Sequence, residues 1–197
     1  MPPVSSDRIL LILDLDETLI YASEAPLERA ADFRVADYHI YCRPHLDEFL
    51  AVCGRHFDLA VWSSASDSYV ELVVDRIFPD RSRLKFVWGR SRATLRRSSR
   101  FDETDFFYDP WDHLNYLKPL SKVKRAGWPL ERVLIVDDTP EKCLRNYGNA
   151  IYPAPFDGSE DDIELKLLAG YLEQLKDEPN VRLIEKRRWR ERAAGVV

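Results

Sequence analysis

Three short apolar runs punctuate the chain, and each empties into oxygen-bearing side chains. ILLIL at 9–13 is followed by Asp14 and Asp16, FDLAVW at 57–62 by Ser63 and Ser64, and the run at 132–136, in ERVLIVDDTP, by Asp137 and Asp138. Runs of this length read as strands buried in a parallel sheet. Between them the period changes to that of helices. Pro44 opens a pattern with Leu46, Phe49, Leu50 and Cys53 on one face and Gly54 as its stop. Ser66 can cap DSYVELVVDRIF, whose inner face is Val70, Val73, Val74 and Ile77. Thr139 and Pro140 open a further helix that ends near Gly148, a short strand is expected at 150–152, and residues 160–176 read as an amphipathic helix with acids in its first turn. The prediction is an α/β fold, with a central parallel sheet flanked by helices.

Other segments interrupt this alternation. Residues 21–32 read as a loop, and FRVADYHIYC at 33–42 as a hairpin turning at Ala36 and Asp37, while Arg43 and His45 read as solvated flanking charge. Residues 81–100 hold eight basic residues and no acidic one, and the alternation around Trp88 and Gly89 suggests a hairpin with a basic face. Those arginines either guard exposed strand edges or receive an anionic substrate. The acidic, aromatic stretch that comes next is a loop leading to a helix. It contains Lys118, to which composition alone gives no role. The tail from about 181 to 197 is expected to be helical and then to fray, its basic run solvated.

The 197 residues suit one domain, and 45% hydrophobic with 32% charged residues is an ordinary globular composition. No stretch approaches a membrane span and MPPVSSDR has none of the marks of a signal peptide, so a cytoplasmic protein is expected. Cys42, Cys53 and Cys143 form no CxxC pair, which suits reduced thiols better than disulfides or zinc. A net charge of −5 argues against a general nucleic-acid coat. Nothing in the sequence fixes an oligomeric state.

In a parallel sheet the three strand ends share one edge, so Asp14, Asp16, Ser63, Asp137 and Asp138 should converge. Carboxylates so gathered need a cation, and hard oxygen donors favour Mg²⁺. Mg²⁺ beside a carboxylate points to phosphoryl transfer, in which the carboxylate can form an aspartyl phosphate and a second acid can serve the leaving oxygen and then water. Competing chemistries lack their residues. No cysteine is followed by Arg six positions on, GxxxxGK and GxSxG are absent, and the glutamate strand that a Toprim nuclease places before its DxD has no room ahead of Asp14.

The run Asp14-Leu-Asp16-Glu-Thr18 with Leu19, the strand end Trp62-Ser63-Ser64, Lys118-Pro-Leu-Ser ahead of Val133, and Val136-Asp137-Asp138-Thr139-Pro140 resemble the four motifs of the haloacid dehalogenase superfamily. With Arg43-Pro44-His45 and Phe49-Leu50, they more closely resemble its branch of small phosphatases acting on the RNA polymerase II C-terminal domain. The resemblance runs from about residue 8 to 176. It implies a Rossmann-like fold with a small β-hairpin insertion before Lys118, here about 81–112 and longer than usual. It also implies Asp14 as nucleophile, Asp16 as general acid and base with its carbonyl on Mg²⁺, Thr18 steadying the loop, Ser63 donating to a phosphoryl oxygen and Lys118 offsetting charge. Asp138 would ligand Mg²⁺, with Asp137 a ligand, a water holder or the partner of the lysine. Ser64, Arg90 and Arg92 are candidates for substrate contact. Asp16 favours a phosphatase over a dehalogenase, which would not need a second acid.

The expected partner is a phosphorylated substrate, a phosphoprotein (Ser/Thr or Tyr) first. Nucleic-acid ends or small phosphate esters are the alternative, received by the arginine-rich segment. A non-catalytic scaffold would be expected to lose Asp14, Asp16 or the Asp137/Asp138 pair, and all four are present.

Overall fold

The computed structural model describes residues 7–97, 114–146 and 148–195. In chain order its elements are β1 (Leu10–Leu13), β2 (Ile20–Ser23), β3 (Phe33–Val35), β4 (Tyr38–Cys42), α1 (Leu46–His56), β5 (Asp58–Trp62), α2 (Asp67–Ile77), β6 (Val87–Trp88), β7 (Thr94–Arg97), β8 (Leu114–Leu117), α3 (Ser121–Arg125), β9 (Val133–Val136), β10 (Ala150–Ile151), α4 (Glu164–Leu175) and α5 (Trp189–Ala193). Five strands form the central sheet in the order β10-β9-β1-β5-β6, every pair parallel. Leu13 lies opposite Val61 on one side and Val136 on the other, so the three apolar runs end within one residue of each other and deliver their trailing polar residues to one edge.

The pleat separates two cores. Leu11 and Leu13 face one way, with the apolar faces of α1, α2 and α4. Leu10 and Ile12 face the other, with Trp62, Leu120, Val123 and Trp128. On α1 and α2 the buried residues are those the helical period predicts. Gly54 does not stop α1, which runs on to His56. Ser66 stands at the start of α2, but its side chain makes no capping bond. Among the described residues no helix is long and apolar enough to cross a membrane, and all three cysteines are free.

Several expectations need correction. Residues 21–23 are not loop but belong to β2, which pairs with β4 and completes a three-stranded sheet with the 33–42 hairpin. Trp88 is not at a hairpin turn. It lies in β6 opposite Trp62, the two rings 5.1 Å apart edge to face, because alternate residues there cover the second core. The hairpin insertion is instead β7 with β8, where Leu95 faces Tyr116; of the acidic stretch 101–120, expected as a loop leading to a helix, residues 101–113 lie outside the described residues, 114–117 form β8, and α3 begins just after it at Ser121. After Thr139 there is only a 3-10 turn, Pro140–Cys143, rather than a helix. The Lys142 carbonyl accepts from the Lys118 amide at 2.8 Å, and Asn146 grips the Lys118 carbonyl at 2.6 Å, so these groups bind the neighbouring segment instead of extending a helical ladder. The tail is anchored: Trp189 is buried against Tyr171 of α4, and the Lys186 ammonium donates to the carbonyls of Gly148, Val181 and Ile184.

Arg43 departs furthest from its sequence reading. It is 1% exposed, its guanidinium donating to Asp162 at 2.7 and 2.9 Å, to the Thr18 carbonyl at 3.1 Å and to the Ala154 carbonyl at 2.9 Å. A buried guanidinium needs such partners, and here they tie the loop after β1 to the segment before α4. His45 is exposed as expected, in a left-handed conformation beside Glu48.

Candidate active site

The loop after β1 is a tight reversal. The Leu15 carbonyl accepts from the amides of Thr18, Leu19 and Ile20, and Glu17 turns the chain at φ 59°. A non-glycine residue there is uncommon, and this one is held from both sides: its amide donates to the Ile20 carbonyl at 2.7 Å and its carbonyl accepts from Phe156 at 2.7 Å. This reversal turns Asp14 inward and leaves Asp16 at the rim.

Asp14 is buried. Its Oδ1 accepts from the Leu15 amide at 2.8 Å and from Lys118 Nζ at 2.8 Å, while Lys142 Nζ lies 3.4 Å from Oδ2. Burial pushes the Asp14 carboxyl up, but the two ammoniums and these hydrogen bonds outweigh it and hold the group below the ordinary carboxylate value. Lys118, fully buried, also donates to Asp137 Oδ2 at 2.6 Å. Desolvation opposes its charge, and Asp137 with Asp14 reverses that, so the ammonium stays protonated above its ordinary value. Asp137 is pushed up by its own burial and by Asp14, against the pull of Lys118.

Asp138 is fixed by hydroxyls. Thr18 Oγ1 donates to its Oδ1 and accepts from its amide, both at 3.2 Å, and Thr139 Oγ1 donates to Oδ2 at 2.8 Å. Asp14, Asp137 and Asp138 each bring one carboxylate oxygen within 4.8 Å of the others, all three residues buried. Three hard oxygen donors at that spacing fit a small divalent cation. Lys142 Nζ faces the same group, at 3.4, 3.9 and 4.0 Å from Asp14, Asp137 and Asp138.

Asp16 has a different setting. Tyr69, one turn into α2, donates to its Oδ1 at 2.7 Å, and Ser63 Oγ donates to Oδ2 at 3.4 Å. Desolvation nonetheless pushes the Asp16 carboxyl above its ordinary value, helped by the charge of Asp14. Ser63 is buried, its amide on the Trp88 carbonyl at 2.9 Å and its Oγ accepting from Ala65 at 3.0 Å. Beside Asp16 opens a mainly apolar cavity of about 400 Å³, walled by Val35, Tyr38, Tyr69 and Leu72, with Arg90 at its edge. Arg90 is fastened by its Nε to the Ser64 carbonyl at 2.9 Å and lies 5.0 Å from the Tyr116 ring centre. Ser64 thus contributes its carbonyl, and Arg92 lies over Trp88, away from Asp16's cavity lining.

The structure therefore gathers Asp14, Asp16, Thr18, Ser63, Lys118, Asp137 and Asp138, and sets Arg90 beside them. Sequence reasoning missed Lys142, Tyr69, Asn146 and the burial of Arg43. Tyr69 carried a weak signal, lying a turn into the helix that leaves Ser63.

Residues 9–182 match the family described as NLI interacting factor-like phosphatase. The chain belongs to that family. It is similar to human carboxy-terminal domain RNA polymerase II polypeptide A small phosphatase 1, 33% identical over 177 residues, covering 86% of this chain and 60% of that protein. It is similar also to the Drosophila melanogaster phosphatase Herzog, 29% identical over 175 residues, covering 85% of this chain and 44% of that protein. The chain thus spans about half the length of such relatives. Among solved structures, fission yeast RNA polymerase II CTD phosphatase Fcp1 superposes with a TM-score of 0.54 at 18% identity, covering 89% of this chain and 53% of that one. A haloacid dehalogenase-like hydrolase from Xanthomonas campestris does so at 0.50 and 9%, covering 87% and 97%. These place the family member in the haloacid dehalogenase fold, as its motifs led us to expect.

Proposed function

We propose that this protein is a phosphomonoester hydrolase, acting on phosphorylated protein side chains through an aspartyl phosphate on Asp14. The observation that carries the reading is the opposite tuning of two carboxyls two residues apart. Asp14 is held ionised by Lys118, Lys142 and the Leu15 amide, as a nucleophile must be. Asp16 is biased toward its acid form at the mouth of a cavity, as a proton donor must be.

In the first step an Asp14 oxygen bonds to phosphorus as the ester P–O bond breaks, and the leaving oxygen takes the Asp16 proton. In the second, water attacks the phosphorus, Asp16 takes its proton, and the Asp14 carboxylate and inorganic phosphate are released. Lys118 stays against Asp14 through both steps, and the Ser63 hydroxyl, already turned toward Asp16, is placed to donate to a phosphoryl oxygen. Asp14, Asp137 and Asp138 would hold Mg²⁺, aided by the Asp16 carbonyl. When bound, that ion offsets the negative charge of the phosphoryl oxygens.

The protein substrate is supported by the apolar cavity beside Asp16, which can take a side chain next to the phosphorylated one, and by the polymerase-tail phosphatases among the relatives. Release of phosphate from a generic aryl phosphate, with and without Mg²⁺, tests the chemistry. Turnover that requires Mg²⁺ is expected, and equal turnover in excess chelator would refute the metal assignment. A panel of phosphopeptides and 5′-phosphorylated oligonucleotides then tests the substrate class, and preference for the oligonucleotides would overturn it.

A further inference from the structure

The basic segment continues past Arg90 as a track that the hydrolytic chemistry does not use. From the cavity edge the chain makes one 3-10 turn, Arg90–Arg92, which exposes both arginines. Lys122 of α3 then docks on that turn, its Nζ donating to the Arg92 carbonyl at 2.7 Å and the Ala93 carbonyl at 3.2 Å. Arg125, a turn further along α3, is exposed. Among the described residues of 81–97 and 114–130 none is acidic; Asp67 of α2 meets the strip through the Ser91 amide at 3.4 Å. Burial first, and then the neighbouring Arg125 and Arg92, push the Lys122 ammonium below its ordinary value.

Resting on the phosphoprotein reading, we infer that this track, Arg90, Arg92, Lys122 and Arg125, docks an acidic polypeptide segment flanking the phosphorylated residue. Charge complementarity gives the sign of the partner. The aromatic rings give its class. A single-stranded nucleic acid stacks its bases on open aromatic faces, whereas here Arg90 covers Tyr116, and Arg92 and Phe86 lie against Trp88, the latter stacked at 4.0 Å. The rings hold the guanidiniums of two exposed arginines and so offer the carboxylates of an acidic peptide prepositioned donors.

The test uses the full chain with Asp14→Asn, so that binding is read without turnover, and two fluorescent phosphopeptides that differ only in flanking residues, three acids or three alanines. Anisotropy at low salt should show about tenfold tighter binding of the acidic peptide, with the gap closing as salt rises and in the background of Arg92→Glu with Arg125→Glu. Equal affinities, or a gap that survives the charge reversals, would overturn the inference. So would a 5′-phosphorylated oligonucleotide that binds more tightly than the acidic peptide. Wild-type protein run in parallel separates the two levels: hydrolysis of both peptides at equal rates removes only the docking track, and hydrolysis of neither removes the phosphoprotein reading.

Discussion

Asp14 and Asp16 leave the same strand two residues apart and end in opposite electrostatic settings. Around Asp14 the protein supplies two ammoniums, a main-chain amide and nearly complete exclusion of water. Around Asp16 it supplies a phenol, a distant serine hydroxyl and an open cavity. Burial opposes charge in both; only Asp14 has cations close enough to reverse it. The role of each carboxyl is therefore written in its neighbours rather than in its type, and the reversal at Glu17 is what separates them.

The comparison can be broken most severely at its locked end. Asp14→Asn removes the proposed nucleophile and leaves Lys118 without one of its two counter-charges; kcat on aryl phosphate should fall by at least about 10³-fold, on the scale of removing other enzymes' nucleophiles. Turnover within tenfold of wild type would contradict the assignment. At the open end, Asp16→Asn should cost about 10²–10⁴-fold on an alkyl phosphate, whose leaving oxygen needs a proton. The penalty on the first step should be much smaller with a nitrophenyl phosphate, whose leaving group does not. Equal first-step penalties in a stopped-flow comparison would deny Asp16 its acid role.

Lys142→Gln sharpens the contrast. Without an ammonium 3.4–4.0 Å from each of the three carboxylates, Mg²⁺ should bind about tenfold tighter by calorimetry, on the order of the 1–2 kcal/mol by which a unit charge repels a divalent one across about 4–8 Å in water. Weaker binding would show that Lys142 organises the acids rather than competing with the ion. The smallest effect is expected from Tyr69→Phe. The phenol donates to the ionised Asp16 and so lowers its pKa; its removal should raise that pKa further, moving the alkaline limb of kcat/KM, where the acid form is lost, to higher pH. A shift toward lower pH would refute this orientation of the hydrogen bond.

What the sequence made legible was the strand ends, because an apolar run that stops at a carboxylate states both burial and exit. What it hid depended on distant partners. Arg43 looks solvated until Asp162, 119 residues on, closes around it. Residues 20–23 show no strand pattern of their own, and only pairing with β4 makes them one. Lys142 lies in a segment whose Thr-Pro opening promises a helix, and the single 3-10 turn formed instead points it into the acids. Trp88 alternates with Phe86 as a hairpin strand would, and its actual partner, Trp62, is set by the register of a parallel pair.

The central claim is the covalent bond to Asp14, and rapid mixing of Asp16→Asn protein with a nitrophenyl phosphate tests it most directly. That leaving group departs without an acid, whereas the water step lacks its base, so the account predicts a burst of nitrophenol equal to the enzyme, with the phosphoryl group found on Asp14 by peptide mapping. A burst-free time course from an active preparation, or a phosphoryl group mapped to another residue, would contradict it.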